Sequence, residues 1–90
     1  MKRIYVLISG RVQGVFYRAF IMERAQILKL TGWIRNLSDG RVEALFDGKD
    51  ADVEAILEYC KKGPPHANVK EVDYREETPA EEFPDFRIIY

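Results

Sequence analysis

Hydrophobic positions along the chain recur with two different periods. Residues 3–9 (Arg-Ile-Tyr-Val-Leu-Ile-Ser) are rich in β-branched and aromatic types and apolar on both parities, which predicts a central strand covered on at least one face. Tyr17, Phe20, Ile21, Ala25 and Leu28 then recur at helical spacing, with Glu23, Arg24 and Lys29 left for water. They predict a helix from about Tyr17 to Leu30. Thr31-Gly32 interrupts that pattern, and Trp33 to Leu37 reads as a short strand. Ser38-Asp39-Gly40 is a tight-turn signal. From Arg41 to Asp47 the period is two: Val42, Ala44 and Phe46 on one face, Arg41, Glu43 and Asp47 on the other. The two segments predict a hairpin. Gly48 ends it. Asp50 is the expected N-cap of a second helix, with Asp52 and Glu54 in its first turn, where the dipole favours negative charge. Val53, Ile56, Leu57 and Cys60 form its buried stripe, and Lys61, Lys62 and Gly63-Pro64-Pro65 end it. Val69–Arg75 and Phe86–Tyr90 predict two more strands, joined by an acidic connection from Glu76 to Pro84.

The order strand, helix, hairpin, helix, strand is that of an α/β chain of the α+β sandwich kind, with the βαββαβ arrangement of ferredoxin-like folds. No repeat, low-complexity tract or linker divides it, so residues 1–90 are expected to form one domain. A chain of this size buries roughly 60–70% of its surface on folding, and 47% of its residues are hydrophobic. Cys60 is the only cysteine, so no intrachain disulfide forms, which suits a reducing compartment. The apolar run Ile4–Ile8 is too short for a signal peptide, and no run reaches the length of a membrane span. The expected location is cytoplasmic. Net charge is −1 but unevenly spread: residues 1–45 hold 8 Lys/Arg against 3 Asp/Glu, and residues 46–90 hold 6 against 12. Two solvated faces of opposite sign account for this; an anion site in the first half is the sharper reading. A nucleic-acid binder is more often basic overall.

Absences narrow the chemistry. One histidine and one cysteine make no zinc set, and no Walker loop occurs. His66 lies in a Pro-Pro-His-Ala turn and reads as a surface group, Cys60 as core, Trp33 as packing, and the acids from Glu71 to Asp85 as a solvated edge. The loop Gly10–Arg18 is different, because it joins a buried strand to a helix N-terminus. The first amides of a helix lack intrahelical partners and, with the dipole, favour an anion. Glycines let successive N–H groups point inward. Arg18 at the helix start offers a planar fork for two phosphate oxygens. An ordinary connection and a solvated arginine would look the same. Asn36 is unusual in a strand; two residues before a turn, it fits turn chemistry, or an amide that holds a water.

Gly10-Arg11-Val12-Gln13-Gly14-Val15-Phe16-Tyr17-Arg18 resembles the first signature of the acylphosphatases. Gly32-Trp33-Ile34-Arg35-Asn36, followed by Gly40, Val42 and Gly48, resembles the second. The resemblance covers nearly the whole chain; Ile34 departs conservatively from the valine or alanine more usual there. It implies two helices on one face of an antiparallel sheet and a metal-free, cofactor-free hydrolase of carboxyl-phosphate bonds. It implies that the amides of Gly14, Val15, Phe16 and Tyr17 cradle phosphate, that Arg18 binds it, and that Asn36 orients the attacking water. Arg11 and Gln13 match the motif without a chemical step. The expected partners are an acyl phosphate and inorganic phosphate, with neither nucleic acid nor membrane, and the chain is expected to be a monomer. The alternatives are a non-enzymatic ferredoxin-like module binding an anion or a partner, an RNA-binding module, and a domain of a larger maturation enzyme. Arg41–Phe46 lacks the aromatic pattern the RNA-binding module needs. A chain beginning at Met1 is expected to stand alone rather than as a piece of the maturation enzyme.

Overall fold

The computed structural model describes residues 1–90. The elements follow in the order β1 (Lys2–Arg11), α1 (Tyr17–Ile27), β2 (Thr31–Asn36), β3 (Val42–Gly48), α2 (Asp50–Lys62), β4 (Asn68–Glu77) and β5 (Phe86–Ile88). The strands make one sheet in the order β4-β1-β3-β2-β5. β1 pairs antiparallel with β3 and β4, and β2 pairs antiparallel with β3.

The hydrophobic periods explain which face is covered. Alternation puts Ile4, Val6 and Ile8 of β1 on the same side as Ile34 of β2 and Val42, Ala44 and Phe46 of β3. These residues form one core with Tyr17, Ile21 and Ala25 of α1 and Val53, Ile56, Leu57 and Cys60 of α2. Both helices therefore lie on one face. Burial of each such aliphatic or aromatic side chain contributes about 1.5–3 kcal/mol. Burial pushes the Cys60 thiol up to about 12, against a weaker opposing pull from its Tyr17 hydrogen bond, so it is a thiol at neutral pH. The opposite face carries polar contacts. Arg3 and Asp47 form a buried two-point ion pair at 2.6 and 2.7 Å. Glu43 accepts from the Tyr5 hydroxyl and from Arg35 Nε.

Four expectations need correction. The sheet is mixed, not antiparallel throughout, because β5 runs parallel to β2. β4 ends and β5 begins at the same end of the sheet, so the 78–85 connection passes along that end from one edge to the other, and β5, antiparallel to β4, runs parallel to β2. Arg3 Nη2 donates to the Glu81 carbonyl there, and Phe83 lies against the Arg3 guanidinium. β5 then adds to the outer edge of β2 and ends at Ile88, short of the expected Tyr90. α1 ends at Ile27 instead of Leu30. Lys29 takes the left-handed conformation (φ 59°), its N–H donates to Gln26 O, and Leu30 N–H donates to Ala25 O. That is a Schellman cap made without glycine. Lastly, the N-cap of α2 is Lys49, with no side-chain cap, and Asp50 is already inside the first turn.

Candidate active site

The loop between β1 and α1 is built by backbone conformations that few residues adopt. At the end of β1 the register with β4 shifts between Ser9 and Gly10. Gly10 has φ 121°, and a Cβ there would overlap the Asn68 carbonyl. Only glycine lets β4 approach so closely. Gly14 follows with φ 74° and Phe16 with φ 64°, both left-handed. Phe16 is the N-cap of α1 and makes no side-chain cap. The first helical bond is donated by Phe20 N–H to Phe16 O at 3.0 Å. The amides before it have no helical acceptor and sit at the positive end of the helix dipole.

Anchors hold this loop on its other sides. Val12 and Val15 are buried in the core. The Gln13 side-chain amide donates to Leu37 O at 2.7 Å and to Arg41 O at 2.9 Å, tying the loop to the β2–β3 turn. The Tyr17 hydroxyl donates to Cys60 O at 2.7 Å, tying it to the last turn of α2. Burial, foremost, raises the Tyr17 phenol far above its ordinary value, so it stays protonated.

Between loop and sheet lies a cleft of ≈ 260 Å³ lined by Val12, Gln13, Gly14, Phe16, Tyr17, Arg18, Ala19, Asn36 and Ile88. Arg18 is half-buried, its guanidinium 5.4 Å from the centre of the Tyr90 ring. Every arginine except Arg11 and Arg18 is ion-paired to a carboxylate, and both exceptions belong to the Gly10–Arg18 loop. Asn36, two residues along β2 from the buried Ile34, faces the helices by the same alternation. Its Oδ1 is the one buried side-chain polar atom with no hydrogen-bond partner. Such an orphaned acceptor costs about 1–3 kcal/mol unless something that donates a hydrogen enters the cleft.

Of the residues singled out in the sequence, Gly14, Phe16, Tyr17, Arg18 and Asn36 line this one cleft. Val15 has its side chain in the core and can offer only its backbone. His66, exposed in the turn after α2, and Trp33, stacked with Arg35 on the open sheet face, do not line it. No group of three or more His, Cys, Asp or Glu is placed to hold a metal ion. Gln13, given no step from the sequence, is the residue whose importance only the structure reveals.

The acylphosphatase family model matches residues 4–88. The chain belongs to the acylphosphatase family. It is similar to the acylphosphatase of Haloarcula marismortui, at 57% identity over 86% of this chain and 85% of that one. It is also similar to the acylphosphatase of Syntrophus aciditrophicus, at 49% identity over 100% of this chain and 94% of that one. The crystal structure of acylphosphatase from Bacillus subtilis superposes with a TM-score of 0.96 at 36% identity, covering 100% of both chains. The family's ferredoxin-like α+β fold is thus the fold of this chain, and as an acylphosphatase-family member the chain is a hydrolase.

Proposed function

We propose that the chain, acting as one domain over residues 1–90, hydrolyses acyl phosphates to a carboxylate and inorganic phosphate. In this reading the N–H groups of Gly14, Val15, Phe16 and Tyr17 and the Arg18 guanidinium hold the equatorial phosphoryl oxygens. Asn36 Oδ1 accepts a hydrogen bond from a water and aims it in line with the scissile bond. The water oxygen bonds to phosphorus, the P–O bond to the acyl group breaks, and the electron pair leaves with the carboxylate. The substrate's own phosphate oxygen takes the water's proton. Phosphoryl transfer asks mainly for positioning and charge stabilisation, which these groups supply. The cleft lining contains no Asp, Glu, His or Lys to protonate a leaving group. A carboxylate, whose acid has a pKa of about 4, departs without one. The residues assemble no metal-ligand cluster, and the reading uses neither metal nor cofactor.

The observation that carries this reading is the orphaned Asn36 Oδ1 in the same cleft as the only unpaired arginine that lines it. The test compares two variants. Asn36→Ala should lose about 10²–10³ in turnover of benzoyl phosphate while inorganic phosphate still inhibits it. Arg18→Ala should weaken phosphate inhibition by about 10–100-fold, the value of a charge-assisted bidentate contact. Asn36→Ala with normal turnover, or Arg18→Ala with normal phosphate affinity, would refute the assigned roles.

No helix is long and apolar enough to cross a membrane. We also propose that the protein works as a cytoplasmic monomer without nucleic-acid or membrane partners. Its near-zero net charge and lone buried cysteine support this, and light scattering with and without RNA checks it.

A further inference from the structure

We propose that the groove between α1 and the end of α2 is a second ligand site, which takes a small aromatic carboxylate. It shares no residue with the cleft between loop and sheet and is independent of the phosphoryl chemistry assigned there.

The groove encloses ≈ 450 Å³, within the range of small-molecule sites. α1 contributes Phe20 and Arg24, α2 contributes Tyr59 and Lys62, and the turn beyond contributes Pro64 and Pro65. The Phe20 and Tyr59 rings meet edge to face, their centres 6.1 Å apart at 74°. Tyr59 is nevertheless 36% exposed and Phe20 only half-buried, so ring surface is left uncovered. The two prolines hold their backbone at a fixed φ, and Ala67 N–H donates to Pro64 O at 3.0 Å to close the turn. The end of the groove is therefore rigid.

Charge sets the class of ligand. The lining holds two cations and no carboxylate. Lys62 has no ion-pair partner. Arg24 lies over both rings, 4.6 Å from the centre of Phe20 and 5.4 Å from that of Tyr59. Its Nη1 donates to Glu23, the preceding and exposed residue, and surface pairs of this kind contribute little. Nε and Nη2 have no acceptor, which leaves one edge of the guanidinium fork for a two-point contact with another carboxylate. The C-terminus of α2 opposes an anion with about half a negative charge; two full cations outweigh it. A flat ring lies against the open Tyr59 and Phe20 surface while its carboxylate meets Arg24 and Lys62. Inorganic phosphate would gain the charge alone, because the groove offers no run of free amides: Gly63 N–H is already given to Tyr59 O.

The test uses 2-naphthoate as probe and amide NMR shifts as readout. Saturable shifts should centre on Phe20, Arg24, Tyr59 and Lys62, with a dissociation constant of about 1 mM, the affinity expected of a ligand this small. The neutral analogue 2-naphthamide should bind about tenfold more weakly, and acetate should not saturate. Arg24→Gln should weaken 2-naphthoate about tenfold and Lys62→Gln about threefold. Lys62 is exposed, so its replacement tests the charge without endangering the fold. Shifts centred on Gly14, Arg18 and Asn36 would put the probe in the cleft and overturn the second site. So would equal affinity for 2-naphthoate and 2-naphthamide, or binding untouched by either substitution.

Discussion

Replacing Gln13 by alanine removes the tether between the glycine loop and the strand end that carries Asn36, and the structure sets the size of the effect. The side-chain amide donates to Leu37 O at 2.7 Å and to Arg41 O at 2.9 Å. Neither carbonyl is orphaned by the change: Gly40 N–H still donates to Leu37 O, and Leu37 N–H to Arg41 O. The loss is then two ordinary hydrogen bonds without a stranded buried acceptor, about 1–3 kcal/mol in all. Turnover should suffer more than stability. Leu37 directly follows Asn36, so the tether fixes the separation between loop amides and the Asn36 amide. A misplacement near 1 Å costs up to about 10²-fold in rate. We expect kcat for benzoyl phosphate to fall about 10–100-fold in Gln13→Ala, with the urea midpoint moving by no more than the two bonds allow. Gln13→Glu keeps the shape but sets an acceptor against two acceptors, and should be at least as slow. A Gln13→Ala variant with reduced stability and undiminished kcat would show that the tether merely holds the fold. One with both unchanged would refute the reasoning altogether.

Gly10→Ala sets a Cβ against the Asn68 backbone at φ 121°, whereas Gly14→Ala, at φ 74°, meets open space; urea titration should find about 2–5 kcal/mol lost in the first and about 1–2 in the second, and the reverse order would contradict the bulge geometry. Burial alone would raise the Glu43 carboxyl, but hydrogen bonds from Tyr5 and Arg35 overcome it and hold it below its ordinary value. Its stabilisation is therefore complete above the unfolded value of about 4.3 and lost as pH falls through the lower folded value. Glu43→Gln should be less stable than wild type at pH 7 and converge on it in acid; a gap that widens on acidification would refute the assignment.

Much of the fold could be read from the chain because each element buries one face. Ile4, Val6 and Ile8 of the β1 run, the α2 stripe from Val53 to Cys60 and the alternation through Val42, Ala44 and Phe46 all reappear as core. What could not be read was decided by partners distant in sequence. The direction of β5 follows from where the 78–85 connection crosses, and that path is fixed by Arg3 holding Glu81 O some 78 residues away. The end of α1 depends on Lys29 accepting a left-handed conformation, for which lysine carries no signal. The candidate site divides in the same way. Arg18, Gly14 and Asn36 stood out as site residues through the resemblance of their motifs, since by residue type alone a solvated arginine, an ordinary loop and turn chemistry would look the same. Gln13 did not, because a glutamine in a loop is unremarkable until its amide is seen between two carbonyls of another turn.

These long-range contacts bear on how a protein this small could bind an anion strongly. The proposed function has the loop amides converge on one phosphoryl group, an unfavourable arrangement for a free loop. It needs left-handed backbone at Gly14 and at Phe16, the latter costing about 1–2 kcal/mol, and it leaves donors unpaired at a helix start. The loop is held nonetheless, by a different element on each side: β4 against Gly10, the β2–β3 turn through Gln13, and α2 through the Tyr17 hydroxyl. Two of these anchors are hydrogen bonds worth about 1 kcal/mol or more each, and Val12 and Val15 add buried apolar surface. Together they suffice to offset the strain. In the proposed function, donors fixed before the ligand arrives need no reorganisation when charge develops on the phosphoryl oxygens, which is where electrostatic catalysis gains most. The same logic explains the arginines. Arg3 and Arg35, which join neighbouring strands, are paired with carboxylates, whereas Arg18 in the cleft has no carboxylate partner to neutralise it.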